Sequence, residues 1–203
     1  MWLFLLLMLA SPGRAQSGPV EAPAPSPLAP APTSPSPGPV LPTPTTPKAP
    51  RFSKTAIGAC GCSIYAPPFL VVAESTRSED RSEVWTAETQ VDGWVYGVIA
   101  VKFETPFTGA APADLEGLLV GYLDFLKGQL GIVAGAGVGR GHSHSENAKA
   151  LGVIDYWTDK DGDQWAVKGW IDEGRLAVLF IAGKGEYPWL NAQQLYLDGF
   201  RFN

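Results

Sequence analysis

The chain has 203 residues, 45 % hydrophobic and 17 % charged, with a formal charge of −5. Phosphate recognition needs clustered Lys and Arg, and no basic stripe is visible, so a nucleic-acid partner is excluded. Fourteen of the 19 prolines precede Arg51, which separates a non-globular N-terminal part from a globular part of about 150 residues, an ordinary single-domain size.

Trp2–Ala10 (WLFLLLMLA) is an unbroken apolar run. It matches a signal-peptide core and falls short of the ~20 residues that cross a bilayer. Gly13 and Ala15 put small residues where signal peptidase reads them, so residues 1–15 read as a signal peptide cleaved after Ala15. No Lys or Arg precedes the run, which leaves the α-amino group as its only positive charge. The first cysteine is Cys60, so no lipoprotein signal is present. The expectation is an exported chain, periplasmic or extracellular, with no integral membrane span after cleavage.

Residues 16–51 form a linker rich in Pro, Ala, Ser and Thr, with 13 prolines among the 32 residues from Pro19 to Pro50. Such a segment buries too little apolar surface to offset its ordering entropy and favours extended polyproline II. At ~3.1 Å per residue it reaches on the order of 100 Å as a semi-rigid spacer. Docking to an SH3-like module is the alternative, but an exported chain rarely meets one.

Residues 52–203 read as one domain. A first strand is expected near Cys62–Tyr65 and a second over Phe69–Ser75. Glu83–Gln90 alternates, with Val84, Thr86 and Glu88 on one side and Trp85, Ala87 and Thr89 on the other. Asp92-Gly93 marks a hairpin, and Trp94–Phe103 returns as a fourth strand. From Pro112 to Leu130 the period changes to 3.6: Leu115, Leu118, Leu119, Tyr122, Leu123, Leu126 and Leu130 form one apolar stripe. Pro112, Asp114 and Glu116 suit the helix start, and Lys127 with Gly131 suits its end. Gly117 and Gly121, four apart, mark where that helix would sit close to a sheet. Residues 131–147 (GIVAGAGVGRGHSHSEN) follow, and their glycine-rich part, Gly131–Gly141, reads as a flexible connector.

Ala150–Ala182 then reads as three strands joined at Asp161-Gly162 and Glu173-Gly174, both pairs that favour positive φ. The third strand is apolar on both faces, so it must be central, with cover above and below. A helix over Tyr187–Asp198 and a short extended end at Phe200–Phe202 complete the order ββββ-α-βββ-α. The expected class is α+β: an antiparallel sheet of about six to seven strands covered by helices.

The strand GVIDYW, the turn DGDQW, the strand GRLAVLFIAG and the short helix running into YLDGFRF together resemble the PsbP-like fold. That is the α/β sandwich of the extrinsic photosystem II protein and of a Ran-GTPase-binding import factor. The resemblance spans roughly Phe52–Asn203 in cadence and topology and carries no chemical signature. It implies a non-enzymatic binding or assembly domain with a protein or cell-envelope partner, and it transfers no functional residue.

Four residues are the candidates for chemistry. Cys60 and Cys62 are the only cysteines and His142 and His144 the only histidines. A Cys-x-Cys pair in an extended segment holds its Cβ atoms beyond the ~3.8 Å a disulfide prefers, though Gly61 would permit a tighter turn. A local disulfide, two buried small hydrophobes and a redox or metal pair are all open. His-x-His can chelate a divalent ion, and Cys60, Cys62, His142 and His144 would complete a Cys₂His₂ metal set, against two loop histidines without ligand duty. Asp159-Lys-Asp161-Gly-Asp163 looks like a calcium loop, but its glycine stands fourth and Trp170 occupies the twelfth position, so it reads as a hairpin turn. The glycine-rich stretch follows a helix instead of opening one, and no catalytic motif occurs, so no cofactor is implied. Trp165 and Trp170 fall on opposite faces of one strand and cannot share a platform.

The exported protein is expected to begin at Gln16. N-terminal sequencing or intact mass of the product recovered outside the cytoplasm checks this.

Overall fold

A computed structural model describes residues 51–67, 71–72, 75–185 and 190–203. The expected signal peptide and nearly all of the expected spacer lie outside the described residues, as do parts of the strand expected at Phe69–Ser75 and the start of the helix expected from Tyr187.

Among the described residues, nine strands form one antiparallel sheet. Its path runs β3 (Val71–Val72), β5 (Glu83–Val91), β6 (Trp94–Lys102), β11 (Arg175–Gly183), β10 (Gln164–Ile171), β9 (Leu151–Asp159) and β7 (Ile132–Gly135). Two more strands double the flanks: β4 (Thr76–Arg77) also pairs with β5, and β8 (Gly139–Ser143) with β9. A separate three-stranded sheet has the order β1 (Ser53–Ala56), β2 (Cys62–Ala66) and β12 (Arg201–Phe202). The helices are α1 (Pro112–Gln129) and α2 (Leu190–Leu197). Among the described residues no helix is long and apolar enough to cross a membrane.

The local signals explain the main hairpins. Asp92 and Gly93 have φ of 50° and 84°, the left-handed pair that a two-residue turn between twisted strands requires, and Val91 faces Trp94 across it. The β9–β10 turn has Gly162 at φ 80° and is organised by Asp159, whose Oδ1 accepts the N–H groups of Asp161 and Asp163, each at 2.9 Å. At the β10–β11 turn the expected positive-φ glycine is absent. Asp172 shapes that turn instead, its Oδ1 accepting the backbone N–H groups of Gly174 at 2.9 Å and Arg175 at 2.8 Å.

The strand β11 is the middle of the path, as its two apolar faces require. Ala177, Leu179 and Ile181 join one core with Ile57, Cys60, Cys62, Ile64 and Ala66 of the small sheet and its turn, and with Tyr196, Leu197 and Phe200 near the C-terminus. On the opposite face, α1 buries Leu115, Leu119, Leu123 and Leu126. Its close approach depends on the sheet: a Cβ at Gly169 would lie 2.6 Å from Leu119 Cδ1, whereas one at Gly117 would meet nothing within 4 Å. Lys127 ties the end of α1 to β9 through the fully buried Asp155, Nζ to Oδ2 at 2.8 Å. Burial opposes the charge on Lys127, but its bonds to Asp155 and Asp124 outweigh that and hold the ammonium above its ordinary range.

The expected α+β sandwich, a sheet of six to seven strands covered by helices, is overturned: the fold is mostly β, a nine-stranded sheet packed against a three-stranded one. Two segments account for the difference. The strand at Cys62–Ala66 leaves the main sheet and pairs with β1 on one side and the chain's end on the other, Ser63 facing Arg201 and Cys62 facing Phe202. The glycine-rich stretch, read as a connector, supplies β7 and β8. Its missing side chains let β8 lie close on β9, since a Cβ at Gly139 would stand 2.9 Å from Ile154 Cγ2.

A Cβ at Gly97 would come within 2.1 Å of the Phe180 ring, so Gly97→Ala is expected to lose about 1–3 kcal/mol through overpacking. Gly117→Ala, facing open space in a helix, is expected to gain up to about 1 kcal/mol. Urea unfolding of both variants measures the contrast.

Candidate functional site

The residues with the most chemistry meet at the hairpin turn between β1 and β2. Ile57 N donates to Cys62 O at 2.9 Å and Cys60 N to Ile57 O at 3.2 Å, closing a turn that holds Cys60-Gly61-Cys62. Gly61 adopts φ +71°, and a Cβ there would stand 3.1 Å from Arg175 Nη1. The turn therefore needs glycine both for its backbone and for the side chain laid across it.

That side chain comes from a position 114 residues away. Arg175 Nη1 donates to Gly61 O at 2.7 Å and to Asn203 O at 3.1 Å, and Nη2 donates to Asp172 Oδ2 at 2.8 Å. The guanidinium lies 4.8 Å from the centre of the Phe202 ring, a stacking arrangement that a lysine would not reproduce. Asn203 N adds a second bond to Gly61 O at 2.7 Å. One arginine thus ties the cysteine turn, the chain's end and the β10–β11 turn together.

Both cysteines are free thiols, 2 % and 1 % exposed. The thiol of Cys62 also lies 3.7 Å from the Cys60 carbonyl oxygen. Donation from the Cys62 thiol holds the Cys60 thiol below its ordinary range; burial opposes this, while the Cys62 backbone N–H, Arg175 and Lys102 reinforce it. The same contact with Cys60, together with burial, drives the Cys62 thiol well up. The two sulfurs are chemically unequal.

The histidines occupy a different environment. His142 lies in β8 opposite Gly152, half-buried. His144, just past that strand, is buried among Trp170, Phe200 and Phe202, with ring centres 5.1, 6.4 and 5.5 Å away. Its Nδ1 accepts Glu146 N–H at 3.2 Å, so the ring proton resides on Nε2, which donates to Phe200 O at 2.9 Å. With both nitrogens engaged, the ring has no lone pair left for an ion. Among the described residues no three His, Cys, Asp or Glu side chains come together as a metal site. Cys60 meets Cys62, but His142 and His144 do not join them as a ligand set.

Asp159 is likewise consumed: besides the two turn amides, its Oδ2 accepts Trp165 Nε1 at 3.1 Å. Trp165 packs against Phe180 and Trp170 against His144, on opposite sides of the sheet. Sequence reasoning missed Arg175, Asp172 and Asn203, and it missed the buried Lys168, whose ammonium pairs with Asp198 and sits 4.7 Å over the Trp170 ring. Arg175, Asn203 and Lys168 act on segments distant in sequence, which no linear spacing reveals, whereas Asp172 bonds within its own turn, to Gly174 and Arg175. No family model and no curated protein matches the chain.

Zinc or a chelator is expected to leave the melting temperature of the reduced protein unchanged. His144→Ala, which empties a site buried among Trp170, Phe200 and Phe202 and removes one of the two donors to the Phe200 carbonyl, is expected to cost about 1–3 kcal/mol. Thermal melts of both proteins with and without zinc check the pair.

Proposed function

We propose that this chain is an exported binding domain, periplasmic or extracellular, carried on a proline-rich spacer and directed at a protein or another component of the cell envelope. The observation that carries the reading is the use made of its reactive side chains. Arg175 clamps backbone carbonyls, His144 bridges two backbone groups, Asp159 organises a turn, and Lys168 is committed to Asp198. Each serves as an internal tie that makes the surface rigid, which favours binding at low ordering cost. The apolar N-terminal run and the prolines after it supply the route and the reach. The reading stands on these residues and not on the PsbP-like cadence, whose helix-covered sandwich the fold lacks.

The test is crosslinking of the mature chain, spacer included, in the native envelope fraction, alongside turnover assays on the purified protein. A saturable complex with a discrete partner is expected. Hydrolysis or group transfer by the purified chain at useful rates would overturn the reading, as would the absence of any saturable complex.

A further inference from the structure

We propose that Cys60 and Cys62 form a two-electron dithiol–disulfide couple oxidised by a small hydroperoxide, with Cys60 as the attacking sulfur and Cys62 as the resolving one. The proposal rests on the geometry of the turn and is independent of which partner the domain binds.

An extended Cys-x-Cys segment would keep its sulfurs too far apart to join. Here the bend at Gly61, φ +71°, breaks the extended run at the middle residue, and the Cys62 thiol turns back to lie 3.7 Å from the Cys60 carbonyl. Donation to that carbonyl places the Cys62 sulfur against the backbone of Cys60, so the resolving sulfur stands beside the residue that carries the attacking one. Arg175 and Lys102 are the cations that act on Cys60, which stabilises a thiolate there. Contact with Cys60 and burial disfavour a thiolate at Cys62, with Asp172 adding a little, and leave that sulfur as the later participant.

Burial selects the oxidant. At 2 % and 1 % exposure the sulfurs are out of reach of a protein disulfide, whose own sulfur must approach in line. Both cysteines belong to the core cluster, beneath a turn whose Gly58, Ala59 and Gly61 are exposed, so an oxidant that reaches them must be as small as hydrogen peroxide.

The chemistry balances. The Cys60 thiolate attacks the peroxide O–O bond, forming Cys60–SOH and releasing hydroxide, which takes up a proton to become water. The Cys62 sulfur then attacks Cys60 Sγ, the S–O bond breaks, and the hydroxyl leaves as water with the Cys62 proton. Overall, two thiols lose two protons and two electrons, and hydrogen peroxide becomes two waters. Arg175 is a positioning residue: it holds the Gly61 carbonyl and so the bend between the sulfurs.

The experiment treats the reduced mature chain with hydrogen peroxide and follows intact mass and alkylatable thiols after denaturation. The expected product is a monomer lighter by two hydrogens with neither thiol alkylatable. Cys62→Ser is expected to accumulate a dimedone adduct at Cys60, and Cys60→Ser to form neither adduct nor disulfide at a comparable rate. Arg175→Gln is expected to slow oxidation about tenfold and raise the pH midpoint of the rate, with partial recovery in Arg175→Lys. An oxidised disulfide-exchange protein, offered in place of peroxide, is expected to react far more slowly. Should a serine variant fail to fold, time-resolved peptide mapping of the wild-type chain shows whether Cys60 oxidises first. Both thiols remaining alkylatable after peroxide, oxidation beginning at Cys62, or disulfide-linked dimers as the sole product would each overturn the proposal.

Discussion

Leu176–Ala182 must be kept from water on both faces, and the rest of the fold is the means by which that is done. A strand buried on one face can sit at the surface of a sheet; a strand buried on both needs two independent covers. The chain supplies a second sheet for one face, and on the other α1 lies over the neighbouring β10 and β9. The covers differ in how they are held. The helix rests on Gly169 and is anchored by the Lys127–Asp155 ion pair, while the small sheet is closed by the chain's own end. An ion pair with one partner wholly buried adds little net stability, but it strongly disfavours other positions for the helix, because any of them would leave Asp155 unpaired.

The second cover explains why Arg175 matters. The strand β11 begins at the residue that clamps the turn of β1–β2 and the C-terminal carbonyl of Asn203. The central strand and the outer sheet are therefore registered by a single guanidinium, whose planar fork can address two carbonyls and a carboxylate at once. The cysteines occupy the point where those connections converge. Oxidation there would act on the β1–β2 turn that Arg175 ties to the main sheet, which gives a redox change a mechanical route into the fold.

The sequence could be read wherever a pattern repeats within one segment. The alternation of Glu83–Gln90, the leucine stripe of α1, the two apolar faces of Leu176–Ala182 and the turn chemistry at Asp92-Gly93 and Asp161-Gly162 are all local, and each stands in the structure in the expected place. The Asp-rich turn was legible for the same reason, since the glycine's position alone excludes a calcium loop. The glycine-rich stretch was not. Its residues carry little β-propensity of their own and become strands because β9 offers an unpaired edge, and that edge is a tertiary fact.

By itself the sequence determined the long strands of the main sheet over Glu83–Lys102 and Leu151–Gly183, the long helix, the central position of β11 and the compositional break before Arg51. Only the tertiary structure decided that the Cys62–Ala66 strand belongs to a second sheet, that His144 is spent on backbone groups, and that Arg175 reaches the cysteine turn. The physical reason is the length scale of the interactions. Hydrophobic periodicity and turn residues act within a few positions along the chain, whereas Cys62 facing Phe202, His144 bonded to Phe200 and Arg175 bonded to Gly61 depend on where the folded backbone brings distant segments together.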